Sequence, residues 1–327
     1  MKKINKYITL ITILVLVFII SLFVGSSKIS IIDSIKGLFD SSNNTISIIM
    51  RNIRLPRVIG AVVAGAGLAA SGVLLQNITN NELASPNIIG VNSGAGLITI
   101  ILLSIFPSLI NYISIGSFIG AFLTTILILS ISYRIGNNKV SIILSGIAIT
   151  TLLNAGINLI SLIDNDVLDS YKYFSIGSLN GINIKQLIIP IIFIIISLVI
   201  SIITSSKSET LILGDSLAKS LGTRVTLYRI ITILCASMLA SAVVSFAGLL
   251  GFVGLVVPHI ARKINGCSLK NSIITSSIVG AILVLVCDTL GRIIFYPTEI
   301  PVGIIMAFVG CPFFIYLLLR RKTYAQN

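Results

Sequence analysis

The chain has 327 residues, a formal net charge of +13, 55% hydrophobic and only 10% charged side chains, and a mean hydropathy of +1.08. A soluble domain carries roughly a quarter charged residues, so this composition cannot build a water-facing surface, and the cations belong to the loops of a membrane protein and not to a nucleic-acid footprint. Continuous apolar runs such as 8–24 and 188–204 exclude the alternating pattern of a transmembrane barrel and leave helices as the spanning elements.

In chain order, the basic start at Lys2, Lys3 and Lys6 precedes an apolar run without a small-residue cleavage site close behind it. It is therefore expected to stay as a first transmembrane helix. Ten spans are predicted: 8–24, 56–75, 92–106, 113–133, 141–163, 187–205, 229–248, 249–262, 271–291 and 301–319. The expectation is one all-α polytopic domain over 1–327, in the lipid bilayer of the cell membrane. Ten crossings return both termini to one side. The loops on that side hold fifteen Lys and Arg against eight on the other, which predicts cytoplasmic termini. Five of the outer eight (Lys28, Lys36, Arg51, Arg54 and Arg57) crowd into 28–57, an exception that needs its own reason.

The second span carries Gly60, Ala64, Gly67 and Ser71 on one helical stripe. Small residues let helix backbones approach closely in lipid, so this span is expected in the middle of a bundle. Gly248, Gly251 and Gly254 precede a short apolar segment, 251–262, which Pro258 is expected to break. Such a break is tolerated only where protein or a cavity covers it. Acids are few. Asp164, Asp166 and Asp169 share one outer loop, Glu209 and Asp215 the longest inner one, and Asp288 lies within an apolar run. Asp288 is either a functional group or the partner of Arg292, four residues on.

Catalytic chemistry is missing, and neither a cofactor nor a metal is expected. The single histidine, His259, has no carboxylate or cysteine at ligand spacing. Cys235, Cys267, Cys287 and Cys311 are scattered and form no CxxC pair. The pairs Lys207-Ser208 and Lys219-Ser220 follow Ser206 and Ala218 instead of the glycine a phosphate-binding loop requires, so ATP hydrolysis would have to come from another chain. An ion-coupled carrier places acids at the midplane, and none is found there. A polytopic enzyme would need a cluster of polar groups at one membrane face, which is equally missing.

The inner loop 205–228 contains a two-turn helix candidate at 213–222. Asp215 can cap its start, Gly222 can end it in the left-handed conformation, and Leu217 and Leu221 share a face, with Ala218 and Lys219 between them. A helix this short needs a surface to rest on. Spacing alone leaves two readings, a membrane-surface helix or one docked in the groove of a cytoplasmic partner.

Several stretches resemble one family in the same order. They are Arg54-Leu55-Pro56-Arg57 ahead of the small-residue helix, and Gln76-Asn77 followed by Leu83-Ala84-Ser85-Pro86-Asn87-Ile88-Ile89-Gly90-Val91-Asn92-Ser93-Gly94-Ala95-Gly96. The segment 213–222, then Gly251-Phe252-Val253-Gly254-Leu255-Val256-Val257-Pro258-His259-Ile260-Ala261-Arg262, and last Glu299-Ile300-Pro301-Val302-Gly303 complete the series. From about residue 54 to 319 the chain resembles the permeases of ATP-binding-cassette importers for iron siderophores, haem and cobalamin. The resemblance implies ten helices per subunit, with two permeases, identical or paralogous, around one pathway. It also implies two cytoplasmic ATPase subunits and an extracytoplasmic substrate-binding protein, either a lipoprotein or a periplasmic protein. It assigns Asp215, Leu217, Ala218, Lys219, Leu221 and Gly222 to the ATPase-coupling helix. Arg54, Arg57 and Arg292 match arginines that face acids of the binding protein; the alternative for Arg57 is a headgroup anchor. The cytoplasmic gate matches Asn138, Lys139, Val140 and Ser141, where Lys139 and Val140 depart from the small hydroxylated residues of relatives. The implied cargo is a ferric siderophore, with haem or cobalamin as the alternative.

Overall fold

The computed structural model describes residues 2–25, 29–39, 45–136, 138–295 and 297–325; of 2–4, 88, 111, 165, 166, 317, 318 and 320–325 only the backbone is described. Lys28 lies outside the described residues, as do the side chains of Lys2, Lys3, Asp166, Arg320, Arg321 and Lys322.

Every regular element among the described residues is helical. In order they are α1 (Lys2–Phe23), α2 (Ile31–Phe39), α3 (Thr45–Ile48), a π-helical stretch (Ile49–Arg54), α4 (Leu55–Thr79), α5 (Val91–Ile105), α6 (Ile113–Ile135) and α7 (Lys139–Ile163). They continue with α8 (Asn165–Ile176), α9 (Ile184–Glu209), α10 (Asp215–Ser220), α11 (Val225–Ala247), α12 (Val253–Asn265), α13 (Leu269–Ile293) and α14 (Val302–Ala325). Short 3-10 turns occupy Pro86–Ile89, Pro107–Tyr112 and Thr210–Leu213.

Seven helices among the described residues are long and apolar enough to cross a membrane, against the ten spans predicted, several of them short. The difference is one of length. The 15 residues of α5 reach only about 22 Å at 1.5 Å per residue, short of the roughly 30 Å hydrocarbon core. The apolar part of α14, Val302–Tyr316, is similarly short.

The predicted span 249–262 is corrected more deeply. Its helix begins only at Val253, after an irregular stretch in which Gly248 and Phe252 take positive φ angles of 69° and 65°. Pro258 does not break α12, which runs 13 residues through it. A proline nitrogen cannot donate to the carbonyl four residues back. That carbonyl, on Gly254, accepts instead from Nε2 of Gln76 on α4 at 3.3 Å. Irregular backbone at membrane depth survives because protein covers it, and Gly248 and Leu250 are buried.

The bundle is built around α4, as its small residues predict. The stripe first noticed packs on one side: Ser71 Oγ donates to the Ala236 carbonyl of α11 at 2.6 Å, and Gly67 abuts Val243. The closest approaches lie on another face. A β-carbon on Gly65 would overlap the carbonyl oxygen of Gly280 in α13, and one on Gly72 would overlap that of Gly254 in α12. Replacing Gly65 with alanine is therefore expected to part α4 from α13 and to cost about 1–3 kcal/mol. Thermal unfolding in detergent reads this as a lowered midpoint, and an unchanged midpoint would refute the contact. By contrast α9 turns Ile188, Ile192, Ile195, Val199 and Ile203 outward, the aliphatic surface that lipid requires.

Candidate functional site

Two polar regions lie at opposite ends of the bundle. At the end where α9 gives way to α11, Gly214 (φ 95°) turns the chain and α10 begins at Asp215. Asp215 was expected to cap this helix. No side-chain cap forms there, and Asp215 instead sits in the first turn and accepts from Nη2 of Arg229 on α11. The other end matches expectation: Gly222 has φ 73°, its N–H donates to the Lys219 carbonyl at 2.9 Å, and the Thr223 N–H donates to Ala218 at 3.0 Å. Ala218 is fully buried, whereas Leu213, Leu217 and Leu221 are 54–56% exposed and Lys219 is also exposed. The segment before α10 is tied down by Asn77 Nδ2 on the Ser208 carbonyl (2.8 Å) and by the Ser208–Thr232 hydroxyl pair (2.8 Å). The result is a short helix held from behind that presents leucines to its surroundings.

The stretch 138–141 lies at the same end. Asn138 Oδ1 accepts from the Ser141 N–H (2.7 Å) and hydroxyl (3.0 Å) and so caps α7. Val140 is exposed and Lys139 half-buried, within electrostatic reach of both Arg229 and Asp215. On the helical face that begins at Val140, α7 exposes Leu144, Ile147, Thr151, Asn154 and Asn158. Two amides one turn apart on the exposed face of a membrane-spanning helix suit water or a polar partner better than lipid. Sequence reasoning passed over Asn154 and Asn158. The signal available was their spacing of four within an apolar run.

A cavity of about 390 Å³ opens nearby, lined by Gln76, Asn77, Asn80, Glu82 and Arg262 among others. Gln76 Oε1 accepts from Arg262 Nη2 at 2.7 Å. His259, which has no carboxylate at ligand spacing along the sequence, does meet one in space: Glu82 stands 3.5 Å from its Nε2. A loop 177 positions away in sequence supplies that contact, so local spacing could not reveal it. Among the described residues no group of three or more His, Cys, Asp or Glu could hold a metal ion.

At the opposite end the structure brings Arg54, Arg57 and Arg292 together around a cavity of about 170 Å³ that Glu299 also lines. These were expected as outward-facing cations, but they are 4%, 4% and 2% exposed. Asp288 lies between two of them, with Arg57 Nε at 3.0 Å and Arg292 Nε at 3.1 Å, and Arg57 also pairs with Glu299. The Asp288–Arg292 pair is the one that the four-residue spacing offered. Arg292 further donates to the Ser21 and Val24 carbonyls (3.1 and 3.0 Å), and Arg54 to that of Phe23 at 2.8 Å. The π-helical turn at Ile49–Arg54 carries Arg54 into this position, and such turns occur often at functional sites. Among the described residues, three guanidinium groups and the carboxylates of Asp288 and Glu299 meet here. Arg51 and Lys36 stand exposed on the adjoining segment.

Comparison with known proteins places this geometry among relatives. The model of the FecCD transport family matches residues 13–320. The chain is 36% identical over 310 residues to the Fe(3+)-citrate import system permease protein YfmE of Bacillus subtilis (strain 168), covering 94% of this chain and 92% of that one. It is 35% identical over 321 residues to the probable heme-iron transport system permease protein IsdF of Staphylococcus aureus (strain MSSA476), covering 98% and 97%. Among solved structures, an inward-facing conformation of a metal-chelate type ABC transporter superposes with a TM-score of 0.81 at 27% identity, covering 96% of this chain and 98% of that one.

Proposed function

The chain belongs to the FecCD transport family, and from that premise we propose that it is the membrane-spanning subunit of an ATP-driven importer for a ferric siderophore or a similar polar ferric chelate. The observation that carries this reading is α10, pinned from behind with Leu213, Leu217 and Leu221 exposed, because such a row needs a groove to fill. Two cytoplasmic ATPase subunits supply the grooves, and a second permease, the same or paralogous, completes the pathway. Seven long helices with α5, α12 and α14 make ten crossings, and the loop charges then put both termini in the cytoplasm.

At the gate, Asn138, Lys139, Val140 and Ser141 stand where α7 meets the coupling end, and the exposed amides of Asn154 and Asn158 continue along the pathway from there. Amides hydrogen-bond the oxygen-rich rim of a citrate- or hydroxamate-like chelate better than the face of a porphyrin, which favours the polar cargo. The extracytoplasmic binding protein docks over the arginine pocket. There Arg54, Arg57 and Arg292 lie beneath the surface, and Arg51 and Lys36 offer it exposed cations. Complementary charge of this kind sets register and encounter rate.

The test is reconstitution of permease, ATPase and binding protein in proteoliposomes with radiolabelled ferric citrate. ATP-dependent uptake is expected only from the whole assembly, with no ATP turnover by the permease alone. Accumulation by the permease alone would overturn the reading, and uptake of haemin but not of ferric citrate would overturn the polar cargo.

A further inference from the structure

Helix α2 is built inside out for a helix resting on a protein in water. Ser30 starts it: the Ser30 Oγ accepts from the Asp33 N–H at 3.1 Å and donates to the Asp33 carboxylate at 2.8 Å, a reciprocal cap that favours a helix start. From there Ile31, Ile32, Ile35 and Phe39 recur at helical spacing and share one face. A helix on a globular surface turns such a face toward the core. Here the inward side consists of Ser34 and Gly37, both buried, with Leu38 half-buried beside them, whereas the four bulky apolar residues are 44–79% exposed. Asp33 and Lys36 stand exposed on the flank. A helix of nine residues is marginal in water by itself, and an exposed aliphatic face of this kind marks a surface that something apolar covers.

The contacts of α2 fix its depth. Gly37 abuts Ile46 of α3, and the Leu38 carbonyl accepts from Arg51 Nε at 2.8 Å. One turn further along the π-helical stretch, Arg54 donates to the carbonyl of Phe23, the last residue of α1. A turn of helix rises about 5 Å, so α2 lies about 5 Å beyond the point where the apolar span of α1 ends, which is the headgroup layer. The neighbouring surface of α1 exposes Ile8, Ile11, Leu16, Ile19 and Ile20, so this edge of the bundle is already a lipid-facing one. We propose that α2 is an in-plane membrane helix. Ile31, Ile32, Ile35 and Phe39 dip into the boundary between headgroups and acyl chains of the leaflet in which α1 ends, while Asp33 and Lys36 stay in water. The inference rests on the reading of α1 and α4 as bilayer spans. Lipid suits this face better than a binding protein does, because a partner that comes and goes would leave the isoleucines bare, whereas the bilayer covers them permanently. Anchored there, α2 supports from the side the stretch that carries Arg51 and Arg54.

The chain contains no tryptophan, so a single introduced one reports its own surroundings. The experiment reconstitutes the full permease in phosphatidylcholine vesicles, with acyl chains brominated either close to the headgroup or at mid-chain, and adds iodide to the water as the opposing quencher. Ile35→Trp is expected to lose most of its emission to the shallow bromines, less to the deep ones, and little to iodide. Phe39→Trp, a milder aromatic exchange, is expected to do the same and keeps the test sound where Ile35→Trp folds poorly. Asp33→Trp, on the flank, should show the reverse, with iodide the stronger quencher. Ile195→Trp on the outward face of α9 is the membrane control and should respond best to the deep bromines. Quenching of Ile35→Trp and Phe39→Trp by iodide with no response to either brominated lipid would overturn the proposal and leave the face in water. Protection from both quenchers would also overturn it, since a protein surface would then cover the face, and a stronger response to the deep bromines than to the shallow ones would refute the in-plane placement. Failure of Ile195→Trp to respond to brominated lipid would instead overturn the reading of the long helices as bilayer spans.

Discussion

Replacing Leu217 and Leu221 together with aspartate is expected to abolish co-purification of the ATPase subunit in detergent and to end ATP-driven uptake. Both side chains are 56% exposed, so the permease itself loses little when they change. Docked in an apolar groove, each leucine contributes about 2 kcal/mol, and losing both weakens association by about a thousandfold. Aspartate adds the desolvation of two carboxylates, which deepens the loss. The folded state provides the control: unfolding of the variant in detergent should match that of the wild type. An intact complex in the double variant would mean that 213–222 touches lipid or water and not a partner.

A loss of stability, and not of association, is expected from Asp288→Ala. Asp288 has no exposed side-chain area and neutralises Arg57 and Arg292, which are themselves almost wholly buried. Removing one partner of a buried pair leaves uncompensated charge and costs about 3–5 kcal/mol. The measurements are yield of folded protein and the thermal midpoint in detergent. Glu299→Gln should cost less, because Glu299 keeps 21% side-chain exposure and water can help solvate the arginine it releases. Equal stability of Asp288→Ala and the wild type would mean that the arginines are hydrated, and then they would be free to meet a partner directly.

This cluster also explains part of the cation excess in 28–57. Arg57 is matched internally by Asp288, 231 positions along the chain, and by Glu299. No local pattern signals such a match. A charge count by loop places residues on a side of the membrane but says nothing of which way a side chain turns. The same limit applies to Glu82 and His259 and to Gln76, whose amide takes up the carbonyl that Pro258 leaves without its usual donor. Glycine shows the limit most plainly. The 4-3-4 stripe on α4 correctly put that helix at the centre, yet the tightest backbone contacts fall on Gly65 and Gly72, because the neighbouring helices decide which face is crowded.

By itself the sequence determined the membrane class, the order of the apolar helices, the central place of α4 and the short helix within 213–222 with its left-handed end at Gly222. Each of these follows from local terms: composition, a helical period and the φ preference of glycine. Only the tertiary structure decided that the three arginines turn inward, that Asp215 pairs with Arg229 instead of capping, and that α12 starts late. These depend on which surfaces meet in the folded bundle, 14 positions apart for Asp215 and Arg229 and 231 for Arg57 and Asp288, where burial makes an unpaired charge or carbonyl too costly to leave alone.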